Sequence, residues 1–340
     1  MIRLVGDVSF TDGYFDLGFG VGSCIEKGFN PFKNITKNND FWIGNFEGVA
    51  ASISKNTGNA ARYFRINPDY LSNVVSFIDL YGVANNHIMQ HGETAYFQTL
   101  SMLDANMLGY FGDKRIKSVE FRHLGKLFTI TGFSLRIDQF AEQPLYWHNP
   151  EIDDVKKELN LLSSDAFKIA YIHWGYEFIN RPFALQKLFA HALIDMGFDL
   201  IVGMHPHVLQ GFEVYKSKYI YYSLGNFLFD MPWDRTRYGA IVNLDVVKDH
   251  IIISHNYIKI GKDFVPNLIP EEDVPADYSF NVLNSILVKE DNGEQYFSEV
   301  NNWYRKYRKK NHVDIAQKMI KHPSIAFGIF CDFVKRRMVK

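Results

Sequence analysis

Apolar residues in this chain gather in short unbroken runs that stop abruptly at polar or ionisable positions. The runs are "IRLVG" (2–6), "FWIGN" (41–45), "FIDLYGVAN" (77–85), "LFTITGFS" (127–134), "KIAYIHW" (168–174), "DLIVGMH" (199–205) and "YIYYSLGN" (219–226). Runs of this length and composition predict strands. Between them, residues 68–78, 93–107 and 183–197 carry apolar side chains three and four apart, and Gly197 stands where a helix ends. Residues 240–260 alternate apolar and polar, the pattern of a hairpin with one covered face. Together these elements predict a layered protein of α/β or αββα type. From about residue 299 Lys and Arg accumulate. The expected organisation is therefore a main domain over 1–262 and a partly helical basic extension over 263–340. Trp303, Tyr304, Phe327, Phe330 and Phe333 are the side chains expected to pack that extension down.

Composition narrows the function classes. The 340 residues are 47% hydrophobic and 22% charged, with a formal net charge of −1. Nucleic-acid and membrane-surface binders carry a large basic excess, so neither class is expected. Two cysteines, Cys24 and Cys331, give neither a disulfide framework nor a cysteine zinc site, and point to a reducing compartment. The N-terminal run lacks the apolar core and small-residue cleavage site of a signal peptide, and no run has the length of a membrane span. A cytoplasmic location is the expectation.

The strand ends carry the chemistry. They present Asp7, Asn45 with Glu47, Asn85 with Asn86 and His87, His173 with Glu177, His205 with His207, and Asn226. Ligands of open α/β sheets bind beyond the carboxyl ends of the strands, where residues distant in sequence converge. Residues two apart on an extended segment point the same way, so His205 and His207 are expected to face one centre if the strand runs through them. Each motif alone has an ordinary structural reading: "GD" is a turn, "NNH" an Asx turn with an exposed histidine, His173 a hydrogen-bonded core residue, and the histidine pair a packed one. Their joint occurrence favours a metal centre. Imidazoles with carboxylate and amide oxygens suit Mn, Zn or Fe. Two such ions, bridged by a carboxylate, clamp a phosphoryl or acyl group and activate water near neutral pH. Asp7, Glu47, Asn86, His173, His205 and His207 supply enough ligands, which leaves His87 as a general acid.

In this order, "NFEG", "ANNH", "HWGYE", "GMHPHVLQGFEVY" and "IYYSLGNFLFD" resemble the capsule-synthesis CapA family, also called the poly-γ-glutamate synthesis protein family, over residues 2–240. That family is similar in fold to calcineurin-like metallophosphoesterases, which implies a four-layer αββα sandwich with a dinuclear metal site. The resemblance implies that Asp7 ligates the first metal, Glu47 bridges, Asn86 and His173 ligate the second, and His205 and His207 divide between the two. His87 then takes the place of the phosphoesterase catalytic histidine. The chain departs from the phosphoesterase pattern at Ser9, where a metal-binding histidine is usual, and at Gln90, where an aspartate is.

Three functions are weighed for these residues. The first is a metal-dependent hydrolase of a phosphoester or amide bond, acting on an anionic polymer or its phosphorylated precursor. Its substrate would be read by loops near 12–30, 49–67 and 136–150, with Arg62 and Arg65 as anion clamps and Asn45, Asn85, Glu177 and Asn226 as further contacts. The second is a non-catalytic accessory protein that works with other capsule-assembly proteins, a reading that Ser9 and Gln90 motivate. A nucleotide phosphatase is a third, without a base-recognition motif to support it.

Overall fold

The structure is a computed structural model. It describes residues 1–11, 20–25, 30, 33–35, 39–50, 64–66, 68, 77–136, 143–231, 233–248, 250–287, 293–321, 323, 327 and 331. In chain order the strands are β1 (Ile2–Val8), β2 (Phe41–Phe46), β3 (Val49–Ala50), β4 (Arg65–Ile66), β5 (Leu80–Gly82), β6 (Gly109–Phe111), β7 (Ser118–His123) and β8 (Lys126–Ser134). They continue with β9 (Phe167–His173), β10 (Leu200–Met204), β11 (Leu209–Tyr215), β12 (Lys218–Leu224), β13 (Asn226–Leu228), β14 (Tyr238–Val247), β15 (His250–Ile260) and β16 (Pro266–Ile269).

Two sheets hold most of them. The first runs β16-β15-β14-β1-β2-β5-β6, with β13 also paired to β1; the second runs β11-β12-β10-β9-β8-β7. Strands β1, β2, β5 and β6 are mutually parallel, as are β8, β9, β10 and β12. The side-chain period of two decides what each face meets. In β9, Ile169 and Tyr171 point into the layer between the sheets, where they join Leu4, Ile43, Val202 and Val242. Ala170 and Ile172 point outward onto the helices Ile152–Leu159 and Ala184–Met196, through Val155, Leu159, Ala190 and Leu193. On the outer face of the first sheet, Val5, Trp42 and Tyr81 pack with Tyr96, Leu100 and Leu103 of the helix Gly92–Ala105. The result is a four-layer α/β/β/α sandwich.

The elements follow the sequence pattern where burial is two-sided, and depart from it locally. The helix expected over 93–107 spans Gly92–Ala105, and that over 183–197 spans Ala184–Met196, ending at Gly197 with φ 124°. The hairpin expected in 240–260 is β14–β15. The run 77–85 is strand only over Leu80–Gly82, because Asn85 turns the chain: its Oδ1 accepts the N–H groups of His87 and Ile88 at 3.1 and 3.0 Å. Most of the helix expected over 68–78 lies outside the described residues. Tight approach of backbones fixes two glycines: a Cβ on Gly6 would sit 1.8 Å from Gly225 O, and one on Gly203 2.1 Å from Tyr222 O.

Strand β16 extends the first sheet past residue 262, and the helices Phe280–Leu287 and Gly293–Lys321 follow. The last helix is fastened by Tyr296, buried with its hydroxyl on Arg181 O, by an ion pair from Arg181 to Glu299, and by Trp303. Of the anchors expected from sequence, Trp303 packs against the main domain and Phe327 does not, being 69% exposed. The side chains of Tyr304, Phe330 and Phe333 lie outside the described residues. Among the described residues no helix is long and apolar enough to cross a membrane.

Candidate metal centre

The carboxyl ends of β1, β2, β5, β9 and β10, with the start of β13, deliver their polar residues to one place. Asp7, Glu47, His173, His205 and His207 are all within 1% of fully buried there. Their ligand atoms form two sets, Asp7/Glu47/His207 and Glu47/His173/His205, each with all atoms within 4.8 Å of one another. Glu47 belongs to both.

Hydrogen bonds aim these groups. Asn45 Nδ2 donates to Asp7 Oδ1 at 2.8 Å and approaches Glu47 Oε2 at 3.5 Å, while Asn85 Nδ2 donates to Asn45 Oδ1 at 3.2 Å. The backbone N–H of His205 donates to Asp7 Oδ2 at 3.1 Å. His207 directs Nδ1 at Asn226 Oδ1 (2.9 Å) and Asp7 Oδ2 (3.3 Å), leaving Nε2 toward Glu47 Oε1 at 3.5 Å. His173 Nε2 lies 3.0 Å from Asn86 Oδ1. His87 Nδ1 lies 2.8 Å from Gln90 Oε1, so the amide that stands in place of an aspartate still orients this ring. Its Nε2 faces Glu47 Oε1 at 3.7 Å, and the ring of Phe64 covers its face, stacked at 3.6 Å and 12°.

His205 and His207 do not share a face through strand alternation. Strand β10 ends at Met204, and the two histidines have φ values of 96° and 57°, in the left-handed region. They reach one centre by a turn around Pro206, with ring centroids 5.7 Å apart.

Burial without counter-ions sets the electrostatics. Desolvation pushes Glu47 well above the usual carboxylate range, and Asp7 beside it adds to the rise. Burial also raises Asp7, but the hydrogen bond and charge of His207 outweigh it and hold that carboxyl below its ordinary value. His207 rises in turn, because Asp7 overcomes desolvation. Burial lowers His173 and His205 well below 6.5, and lowers His87 to about 3. Both ring nitrogens of His205, and Oε1 of Glu47, are buried without a hydrogen-bond partner among the described residues. Orphaned lone pairs on an imidazole and a carboxylate suit a borderline divalent cation and little else.

Other residues named from sequence divide. Asn45, Asn85 and Asn226 spend their amides on Asp7, on Phe46 O and on His207. Glu177 is half-buried and acts on Glu47 and His207 through its charge. Arg65 is half-buried in the β3–β4 pair, next to Phe64, and Arg62 lies outside the described residues. Ser9 Oγ is tied to Thr11 Oγ1 at 3.1 Å. Arg136 was not singled out from sequence. Its guanidinium donates to Gly175 O, lies 5.8 Å over Tyr176, and its charge acts on His87, His173 and His205. It follows the end of β8, so the strand-end rule applied to Ser134 would have reached it.

The four-layer sandwich thus gathers carboxylates and histidines at its strand ends, the donor set of a candidate metal centre. The particular family follows from the chain itself: residues 1–231 match the bacterial capsule synthesis protein PGA_cap family, and the chain belongs to it. It is 33% identical over 228 residues to capsule biosynthesis protein CapA of Bacillus anthracis, covering 61% of this chain and 54% of that protein. It is 31% identical over 244 residues to PGA biosynthesis protein CapA of Bacillus subtilis (strain 168), covering 65% and 61%. The chain thus spans under two thirds of the length of these curated relatives. A solved structure described as a putative 5'-nucleotidase from Staphylococcus aureus overlays with a TM-score of 0.43 at 13% identity, covering 89% of this chain and 58% of that one.

Proposed function

We propose that this chain is a metal-dependent hydrolase acting in capsule or poly-γ-glutamate metabolism, on an anionic polymer or its phosphorylated precursor. The observation that carries this reading is the sharing of Glu47 between two buried ligand sets whose other members include a histidine with both nitrogens unpartnered. Asp7, Glu47 and His207 would hold one divalent ion, and Glu47, His173 and His205, with Asn86 alongside, a second. Bound there, two such ions would supply Lewis acidity to the scissile group and lower the pKa of water.

The protein's own residues do the rest. Asn45, held by Asn85, fixes both carboxylates; Asn226 and Asp7 fix the tautomer of His207. His87 keeps its Nδ1 proton on Gln90 and presents Nε2 toward Glu47. An anion entering beside Nε2 raises its proton affinity from the low value that burial imposes, so the ring can carry a proton to a leaving oxygen. Phe64 and the near-complete burial of the cluster exclude bulk water. Arg136 brings positive charge toward an incoming anion.

The test is metal analysis of the purified protein with hydrolysis assays on a phosphomonoester, a phosphodiester and poly-γ-glutamate. The expected result is close to two equivalents of Mn, Zn or Fe, with hydrolysis lost in both His87→Ala and His205→Ala but metal lost only in the second. Absence of bound metal together with inactivity on every substrate refutes it. The second reading, an accessory protein of capsule assembly, is favoured by Ser9, whose hydroxyl is tied to Thr11 where a ligand is usual in phosphoesterases. It predicts the same fold with fewer than two ions and no turnover.

A further inference from the structure

Some cations on the main domain have a carboxylate partner: Arg3 with Asp40, Arg115 with Asp113, Lys117 with Glu158, Lys216 with Asp195 and Lys218 with Asp199. One cleft gathers three cations that have none among the described residues. About 560 Å³ in volume, it lies where the turn Asp234–Arg237 meets the β15–β16 hairpin, and Arg237, Lys259 and Lys262 line it together with Asn267. Among the described residues none of the three cations makes an ion pair. Two carboxylates are near. Asp234 lines the cleft and takes a hydrogen bond from Tyr278 at 3.4 Å, and Asp263 accepts the N–H of Val265. In a chain whose net charge is −1, three cations facing one lining carboxylate are a local positive excess.

The donors are held in place. Arg237 Nη1 donates to Gly261 O at 3.0 Å, Lys259 Nζ sits 4.9 Å over the Tyr238 ring, and Asn267 Nδ2 donates to Val265 O at 2.8 Å. Such fixing lowers the entropy lost when an anion binds. The floor, Ile260, belongs to the aromatic cluster of Phe178, Phe229 and Trp233, and the Phe229 ring lies 4.9 Å from that of His207. From the other side, Asn226 donates to Thr236 O at 3.0 Å, one residue before Arg237. The cleft and the candidate metal centre thus border one apolar cluster.

We propose that the cleft is a second anion subsite, which grips a carboxylate-bearing unit of a chain whose neighbouring unit lies at the metal centre. The guanidinium of Arg237 suits a planar carboxylate, and the lysines add point charge. The subsite makes the protein a reader of polymer length: a single unit reaches one site, a longer chain both, and the second contact becomes intramolecular. This inference rests on the hydrolase reading only for the identity of the chain that spans the two.

Isothermal titration calorimetry of glutamate and of γ-glutamyl oligomers of increasing length, at low ionic strength, tests it. Wild type is compared with Arg237→Gln/Lys259→Gln/Lys262→Gln and with His205→Ala, and inorganic phosphate probes the metal-loaded centre separately. In wild type the longer oligomers bind at least about tenfold tighter than the shortest. The triple variant loses this gain and keeps phosphate binding, and Lys262→Gln alone, an exposed change, loses part of it. Retention of the full length gain in the triple variant, or its absence from wild type, overturns the proposal. A protein that binds no metal and hydrolyses nothing, yet shows a length gain that the triple variant abolishes, refutes the hydrolase reading and leaves the subsite standing.

Discussion

Glu47→Gln separates stability from metal binding, because the two respond in opposite directions. In the metal-free protein Glu47 is a fully buried carboxyl beside Asp7 whose Oε1 accepts no hydrogen bond among the described residues. A buried polar group without its hydrogen bond costs about 1–3 kcal/mol, and a charge costs more. Gln has the same shape and no charge to desolvate, so the metal-free variant is expected to be about 1–3 kcal/mol more stable than wild type at pH 7.5. The sign follows from linkage. The folded pKa of Glu47 is raised above 4.5, so the carboxyl opposes folding as pH rises past that value, and the advantage of Gln closes as pH falls toward it. With metal the order reverses. An ion at a thousand times its Kd stabilises wild type by about 4 kcal/mol. Loss of the ligand common to both sets, with affinity falling by about a hundredfold, leaves about 1.4 kcal/mol of that gain. Urea denaturation followed by tryptophan fluorescence, with chelator and with Mn, reads both quantities on one protein. A metal-free variant less stable than wild type, with the metal gain intact, would make Glu47 a packing residue and refute the reasoning.

Three further outcomes follow. Gly203→Ala places a Cβ 2.1 Å from Tyr222 O and 2.2 Å from Trp174 Nε1, and is expected to cost about 3 kcal/mol or prevent folding; an unchanged denaturation midpoint contradicts it. Phe64→Ala uncovers His87, whose pKa, held at about 3 chiefly by burial, moves up toward 6.5; NMR titration of the ring protons measures it, and an unmoved value shows that Phe64 is not what shields the ring. Metal-free protein loses stability as pH falls from 6.5 toward 5, because His87, His173 and His205 stay neutral when folded but take up protons when unfolded, each worth up to about 1.4 kcal/mol per pH unit. Glu47 and His207, both raised, work the other way, so a net slope of about 1–2 kcal/mol per pH unit is expected in denaturant titrations, and a flat profile refutes it.

The layers were legible because strands buried on both faces leave unbroken apolar runs, and the strand-end residues were legible because those runs stop on charged or amide side chains. Other features depend on backbone that no residue-type pattern encodes. The positive φ values of His205 and His207 belong to a turn that only the tertiary setting selects. Asn85 makes the expected Asx turn, but that turn carries His87 into the buried cluster beside Glu47 and not out to solvent. Gln90 takes up the ring nitrogen that sequence comparison with phosphoesterases assigns to an aspartate, since an amide oxygen at the same reach accepts the same N–H. Tyr296 anchors the last helix from within a polar stretch, where periodicity is weak. The helix Ile152–Leu159 is too short for two full repeats of its apolar stripe.

The hydrogen bond from His205 N–H to Asp7 spans 198 residues of sequence. Loop closure over that separation has its entropic cost before the contact returns anything, so the centre belongs to the slow, late part of folding. During synthesis Asp7 leaves the ribosome about 200 residues ahead of the histidines it meets, an interval of about 10–40 s at ordinary elongation rates. Through that interval no complete ligand set exists, and a metal ion cannot nucleate the fold. An ion held by these ligands would lock only a chain in which β1, β2, β9 and β10 have already come together, so its capture would report that step.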